Sequence, residues 1–194
     1  MSAEFHGRLP RRQVLSLMLA GFGMILTGVA VWILLGDART GYASRPTDFT
    51  AIPVSVNFRA PSLRLEALDG GPAALSDYLG QVVLVNLWAT WCPPCEAEMP
   101  GFQRFYQKHR GEGFTVIAIN DGESEIDVRR FVADHGLTFP VWLDPNYDAT
   151  DRAFKAANLP TSYVIDRQGT VRLMWIGAIS EANLEKYVAG LIKE

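Results

Sequence analysis

The sequence predicts an α/β protein, a central mixed β-sheet flanked by helices, carried behind one N-terminal transmembrane helix. Three observations lead there. Val14 to Leu35 is a 22-residue stretch without a charged residue. The segments Val82–Val85 and Phe114–Ile119 are continuous rather than alternating apolar runs, as expected of central strands buried on both faces. Segments of helical period separate these strands, which favours mixed layers of sheet and helix.

The elements follow in chain order. At 1.5 Å per helical residue, the 14–35 stretch spans roughly 30 Å, the hydrocarbon thickness of a bilayer. Arg8, Arg11 and Arg12 precede it, while Asp37 and Arg39 cancel after it. The positive-inside rule then leaves residues 1–13 in the cytoplasm and the bulk of the chain outside. Gly36 and Gly41 supply small residues three before a conceivable cleavage at Ala38 or Ala43. Arg11-Arg12 also loosely resembles a twin-arginine export signal, so a cleaved leader is the rival reading. Length favours an uncleaved signal-anchor, because cleavable signals usually have apolar regions of about 7–15 residues.

Residues 36–51 mix Gly, Thr, Ser and Pro without periodicity and read as a linker. The folded domain is expected over 52–194. Leu63–Leu68 alternates like a half-buried strand and runs into the turn Asp69-Gly70-Gly71, the start of an N-terminal β-hairpin. Ser76 is placed to cap a short helical turn, Asp77–Leu79. The strand ending at Trp88 leads into a helix over about 93–110, bent at Pro100. After the strand at 114–119, Ser124 to His135 reads as a helix stopped by Gly136. Phe139–Leu143 is short and extended, and Asp148–Ala157 a short helix. Thr161–Asp166 and Val171–Ile176 flank the turn Arg167-Gln168-Gly169, and Ser180 opens a last helix to Ile192.

Charge narrows the function. Residues 1–44 carry a net +2 and the remainder −5. A mildly acidic domain with scattered basic residues has no nucleic-acid footprint. The chain has only two cysteines, Cys92 and Cys95. So short a loop constrains the unfolded chain little, so the pair points to chemistry rather than stapling.

A Cys-x-x-Cys opening a helix behind a buried strand has a physical use. The first sulfur meets the positive end of the helix, where free N–H groups and the macrodipole favour a thiolate. The second lies one turn on, within reach of a mixed disulfide formed by the first. Zinc is disfavoured because no second Cys pair exists and His109 and His135 lie far apart in sequence. Glu96 rather than His follows Cys95, which removes the c-type haem reading. A peroxidase would want Thr-x-x-Cys, and Thr90 stands only two residues before Cys92.

The block Trp88-Ala-Thr-Trp-Cys-Pro-Pro-Cys95 and a second block, Leu159-Pro160-Thr161-Ser162-Tyr163-Val164-Ile165-Asp166, resemble the thioredoxin superfamily. Within it the chain is similar to the membrane-anchored TlpA/ResA-type thiol-disulfide oxidoreductases, over about residues 52–194. The resemblance implies a thioredoxin-like fold, with Cys92 attacking and Cys95 resolving. It implies that Pro160 is cis and faces the cysteines, with Trp91, Pro93, Pro94 and Thr161 around the site. One departure stands out: Asn86 occupies the place of the buried Asp that cytoplasmic thioredoxins carry six residues before the first Cys. The TlpA/ResA-type proteins tend instead to carry a Glu three residues after the second Cys, and Glu98 matches. A helical turn puts Glu98 on a face similar to that of Cys95, where a carboxyl could take its proton. Trp88 reads as core, Met99 as packed, His109 and His135 as surface, and Glu123, Glu125 and Asp127 as a solvated face.

The resemblance further implies a redox-active protein of the bacterial inner membrane with its catalytic domain on the periplasmic side. It would reduce disulfides in protein clients such as apocytochrome c, in cytochrome c biogenesis, or copper-site proteins. Electrons would come from a membrane thiol transporter of the DsbD/CcdA type. No bound cofactor or metal is required, since the two sulfurs hold the electrons. Two alternatives stay open: a Cu(I) carrier using Cys92 and Cys95, and a CcmG-type cytochrome-maturation thioredoxin. The latter is disfavoured by Asn158-Leu159-Pro160-Thr161 at the proline block. If residues 14–35 form an anchor, the full-length protein stays with membranes through high salt and carbonate, and Val31→Arg weakens insertion. Recovery of a soluble extracytoplasmic domain beginning near Arg39 or Ser44 would show a cleaved signal instead.

Overall fold

Strand β4, Val82–Trp88, is the axis of the domain, and every one of its seven residues is buried. The computed structural model describes residues 52–194, so the predicted anchor at 14–35 and linker at 36–51 lie outside the described residues. Among the described residues no helix is long and apolar enough to cross a membrane. The other strands are β1 (Val54–Arg59), β2 (Arg64–Ala67), β3 (Pro72–Ala74), β5 (Phe114–Asp121), β6 (Val141–Asp144), β7 (Thr161–Ile165) and β8 (Thr170–Ile176). They form one eight-stranded sheet in the order β1-β8-β7-β4-β5-β6-β2-β3. The β4–β5 and β5–β6 pairs are parallel and β4–β7 is antiparallel. The predicted mixed sheet, with β4 and β5 inside it, is what forms.

Alternation along the central strands divides the core in two. Val82, Leu84 and Trp88 face one layer, while Val83, Val85 and Leu87 face the other. The first layer is closed by α1 (Pro93–His109), α2 (Glu125–Asp134), α3 (Glu181–Tyr187) and α4 (Ala189–Ile192), through Phe102, Phe105, Phe131, Leu184 and Ile192. The second is covered by the segments around Leu63 and Leu75 and by Ala149 and Phe154. Asn86 and Ser162 belong by register to the α1 side, a polar pair on an otherwise apolar face.

Local chemistry explains the helices. Cys92 is the N-cap of α1, and Pro93 and Pro94 occupy its first positions, where a fixed φ is favourable and no intrahelical donor is lost. Lys108 and His109 sit in its last turn, matching the negative end of the dipole. The helix runs on through Pro100. Ser124 caps α2, accepting the Asp127 N–H at 3.3 Å, and Ser180 caps α3 the same way through Asn183.

Several expectations change. The N-terminal hairpin is present as β2 and β3 and joins the sheet at β6. Strand β1 was not anticipated; it pairs with β8 at the opposite edge, and its exposed, bulged register leaves only a weak alternation to read. The turn near Ser76 spans Leu75–Tyr78 and is held by the Asp77 carboxylate accepting the Ala74 N–H at 3.0 Å, not by a Ser76 cap. The helix expected at 148–157 is a single wide turn, Asp148–Ala153. Buried Asp144 collects the N–H groups of Asp148, Ala149 and Thr150 there, which substitutes for a longer helix start. His109 is buried against Phe105 and Phe114 rather than on the surface.

Arg167, in the β7–β8 turn, ties three distant segments together. Its guanidinium donates to the carbonyls of Gly80 at 2.7 Å, Glu112 at 3.1 Å and Ile192 at 2.7 Å. A charged donor bonded to three main-chain carbonyls is worth more than a surface ion pair. Arg167→Ala should lower stability by about 2 kcal/mol in urea unfolding, whereas Arg130→Ala on the exposed face of α2 should change it by less than about 0.5 kcal/mol.

Candidate active site

The redox pair stands where β4 hands over to α1. Cys92 and Cys95 are joined by a disulfide, with S–S 2.06 Å and Cα–Cα 5.2 Å. Cys92 is 4 % exposed and Cys95 is fully buried, so of the two only Cys92 has any surface. Cys92 Sγ accepts the Cys95 N–H at 3.3 Å. Pro93 and Pro94 bring no N–H to that helix start, and the next free amide, that of Glu96, donates to the Cys92 carbonyl at 3.1 Å. Trp91, Pro93 and Pro94 flank the pair as exposed residues.

The second block arrives through the β4–β7 pairing. Leu87 lies opposite Thr161, so Pro160 comes level with the end of β4, from which the cysteine loop departs. The Leu159–Pro160 bond is cis, as the resemblance implies. Pro160 and Thr161 are buried, with the Thr161 hydroxyl on the Asn158 carbonyl at 2.7 Å. The Pro160 carbonyl accepts from Gly177 at 2.8 Å.

Behind the disulfide lies Glu98, 3 % exposed. Its Oε1 accepts the Asn86 side-chain N–H at 2.7 Å and its Oε2 accepts the Ile179 N–H at 2.9 Å. Asn86 Nδ2 also donates to the Ser162 hydroxyl at 2.9 Å, while its Oδ1 is buried without a hydrogen-bond partner. Burial pushes the Glu98 carboxyl up from an ordinary 4.5 to about 8, and the hydrogen bonds from Ile179 and Asn86 only partly oppose it. Asn86, recognised from sequence only as a missing Asp, is therefore the direct partner of the Glu that stands in for it. Ser162 and Ile179 carry no residue-type signal of such a role; the strand pairing and the loop after β8 supply them.

The remaining candidates separate. Trp88 is fully buried against Phe131, with ring centroids 4.8 Å apart, and Met99 is fully buried in the same core. His135 stacks on Phe131 and reaches Glu96 at 3.2 Å. Glu123 leaves the solvated face expected for it: its carboxylate turns inward onto Thr90. Among the described residues no cluster of three or more His, Cys, Asp and Glu is arranged to hold a metal ion.

A buried cysteine pair at a helix start, a cis-proline level with the strand end that leads to it and a buried acid one helical turn beyond it suit thiol–disulfide exchange, and comparison with known proteins agrees. Residues 56–174 match the AhpC/TSA family. The chain is 34% identical over 165 residues to the thiol-disulfide oxidoreductase ResA of Geobacillus kaustophilus, covering 85% of this chain and 93% of that protein. It is 36% identical over 140 residues to ResA of Bacillus subtilis, covering 72% and 77%. Among solved structures, a thioredoxin-family thiol:disulfide interchange protein from Chlorobium tepidum superposes with TM-score 0.64 at 29% identity, covering 72% of this chain and 99% of that one. A DsbF homologue from Corynebacterium diphtheriae gives 0.66 at 26% identity, covering 75% and 96%. The chain belongs to the AhpC/TSA family of thioredoxin-like proteins and is, within it, a ResA-like thiol-disulfide oxidoreductase.

Proposed function

We propose that this oxidoreductase works as a reductase of protein disulfides on the extracytoplasmic side of a bacterial membrane. Its electrons would come from a membrane dithiol transporter, and its clients would include apocytochrome c or copper-site proteins. The observation that carries the reductase chemistry is the buried Glu98 carboxyl, one helical turn beyond Cys95 and held by Asn86 and Ile179. The Cys92 thiolate attacks one sulfur of the client disulfide and expels the other, forming a mixed disulfide. Cys95 gives its proton to Glu98 and attacks Cys92 Sγ; the mixed disulfide breaks and the client leaves as a dithiol. Two electrons have passed to the client, whose two expelled thiolates take up one proton released again by Glu98 and one from water, and the enzyme is left with the Cys92–Cys95 bond seen here. A carboxyl raised to about 8 is far better matched to take a proton from a thiol than an ordinary carboxylate near 4.5.

The proton has one place to sit. The Ile179 N–H fixes Oε2 as an acceptor, so the acid proton belongs on Oε1, which faces Asn86 Nδ2 at 2.7 Å. Two donors cannot share that contact. Inverting the Asn86 amide turns its partnerless Oδ1 to the proton, and the Ser162 hydroxyl changes from acceptor to donor. Asn86 can serve both protonation states, which an Asp could not do without adding a second buried charge.

Glu98→Gln should slow resolution of the mixed disulfide by about 10²-fold in stopped-flow kinetics while sparing the first attack by Cys92. The same variant tests the burial. Glu98 has a folded-state pKa above its unfolded one, so its stabilising contribution is complete below about 4.5 and lost as pH rises through about 8. Urea midpoints of the oxidised wild type should fall across that window, and those of Glu98→Gln should stay flat. Unchanged resolution and parallel pH curves would put the base elsewhere.

Direction rests on the helix start. With two prolines following it, the Cys92 sulfur meets a single main-chain donor, and Glu96 places negative charge in the first turn. A thiolate so little stabilised disfavours the reduced form. Equilibration with glutathione at neutral pH should leave the domain mostly oxidised; a domain that stays reduced there would be an oxidase.

A further inference from the structure

Thr90 lies in the loop between β4 and α1, two residues before Cys92, and it is gripped by a side chain from the far end of β5. Glu123 Oε2 accepts the Thr90 main-chain N–H at 2.6 Å, and Oε1 accepts the Thr90 hydroxyl at 2.5 Å. The carboxylate is itself oriented by the fully buried Asn120, whose Nδ2 donates to Oε2 at 2.7 Å and whose Oδ1 accepts the Glu123 N–H at 3.2 Å. Gly122 makes the turn that folds Glu123 back, with φ +77° and the Tyr147 ring packed where a Cβ would stand. Three hydrogen bonds to one carboxylate, from the Thr90 N–H, the Thr90 hydroxyl and the Asn120 amide, make a firmer tie than a mobile surface ion pair.

Cys92 is held independently. Its N–H donates to the Ala89 carbonyl at 3.3 Å, and its own carbonyl accepts from Glu96 as the first bond of α1. Trp91 therefore lies between two residues anchored by different means, and its side chain is 67 % exposed. A large aromatic surface presented on a fixed backbone is a preformed anchor, because a partner that covers it does not have to freeze the loop.

We propose that Glu123 is a positioning residue for client recognition. Its carboxylate latches Thr90 and thereby presents Trp91, already in place, to an apolar side chain next to the client's disulfide. Glu123 touches neither sulfur nor client in this arrangement; it acts through Thr90. The inference rests on the reading of the domain as a reductase of protein disulfides.

The test uses the full-length protein in detergent micelles with dithiothreitol as electron source and two probes. Oxidised insulin offers a disulfide flanked by side chains, and bis(2-hydroxyethyl) disulfide offers one with none. Glu123→Gln and Thr90→Val should each lower kcat/KM for insulin about 10-fold, chiefly through KM, with a loss at least about 5-fold greater than on the small disulfide. Thr90→Ser keeps both donors and should return to within about 2-fold of wild type, and the double variant should be no worse than the poorer single one. Equal losses on both probes would place Glu123 in the thiol chemistry and overturn the proposal. Unchanged insulin kinetics, or additive losses in the double variant, would overturn it as well. Wild-type protein that fails to reduce insulin would instead remove the reductase reading on which the proposal stands.

Discussion

Glu98 is an acid taken out of water, and the arrangement around the dithiol follows from what that requires. A buried carboxyl needs hydrogen-bond partners on both oxygens, or its desolvation outweighs what the surrounding packing contributes. Here the partners come from two elements remote in sequence, Asn86 on β4 and Ile179 after β8. To supply them, β4 carries a polar residue in a strand otherwise wholly apolar, and β7 places Ser162 beside it to satisfy the rest of that amide. The setting of the buried acid is thus built into the strand pairing rather than attached to it.

The loop bearing the cysteines is fixed from both sides by different physics. On the helix side, Cys92, the proposed nucleophile, is the N-cap, so the geometry of the helix start and that of the sulfur are the same geometry. On the sheet side, an ionised carboxylate from the β5 end holds Thr90. Trp91 is left protruding between them. Rigidity of the backbone and exposure of the ring are compatible because the restraint runs through the main chain and the Thr90 hydroxyl.

Away from the site the fold solves a different problem. A five-stranded core with helices on one face leaves the other face and both edges uncovered. The β2–β3 hairpin lengthens the β6 edge, β1 lengthens the β8 edge, and Leu63, Leu75 and Phe154 close the second core layer. Arg167 then ties the turns at one end to the carboxyl terminus of α4.

Sequence by itself determined what depends on residue type and short spacing. The continuous apolar runs marked β4 and β5 as central, because a strand covered on both faces has no polar face to alternate with. The cysteine spacing and the prolines after Cys92 marked the dithiol, and the resemblance to TlpA/ResA-type proteins, with Asn86 in place of Asp, pointed to Glu98. Tertiary structure alone decided the rest. That Asn86 bonds Glu98 depends on side chains twelve residues apart meeting across a sheet–helix interface, which no periodicity encodes. Glu123 read as a solvated acid because its neighbours Glu125 and Asp127 are; one left-handed glycine turns it inward, and only the β4–β5 pairing puts Thr90 within its reach. His109 read as surface for the same reason, its burial coming from Phe114 on another element. β1 escaped notice because an exposed edge strand buries too little to impose a pattern, its place being set by the free edge of β8.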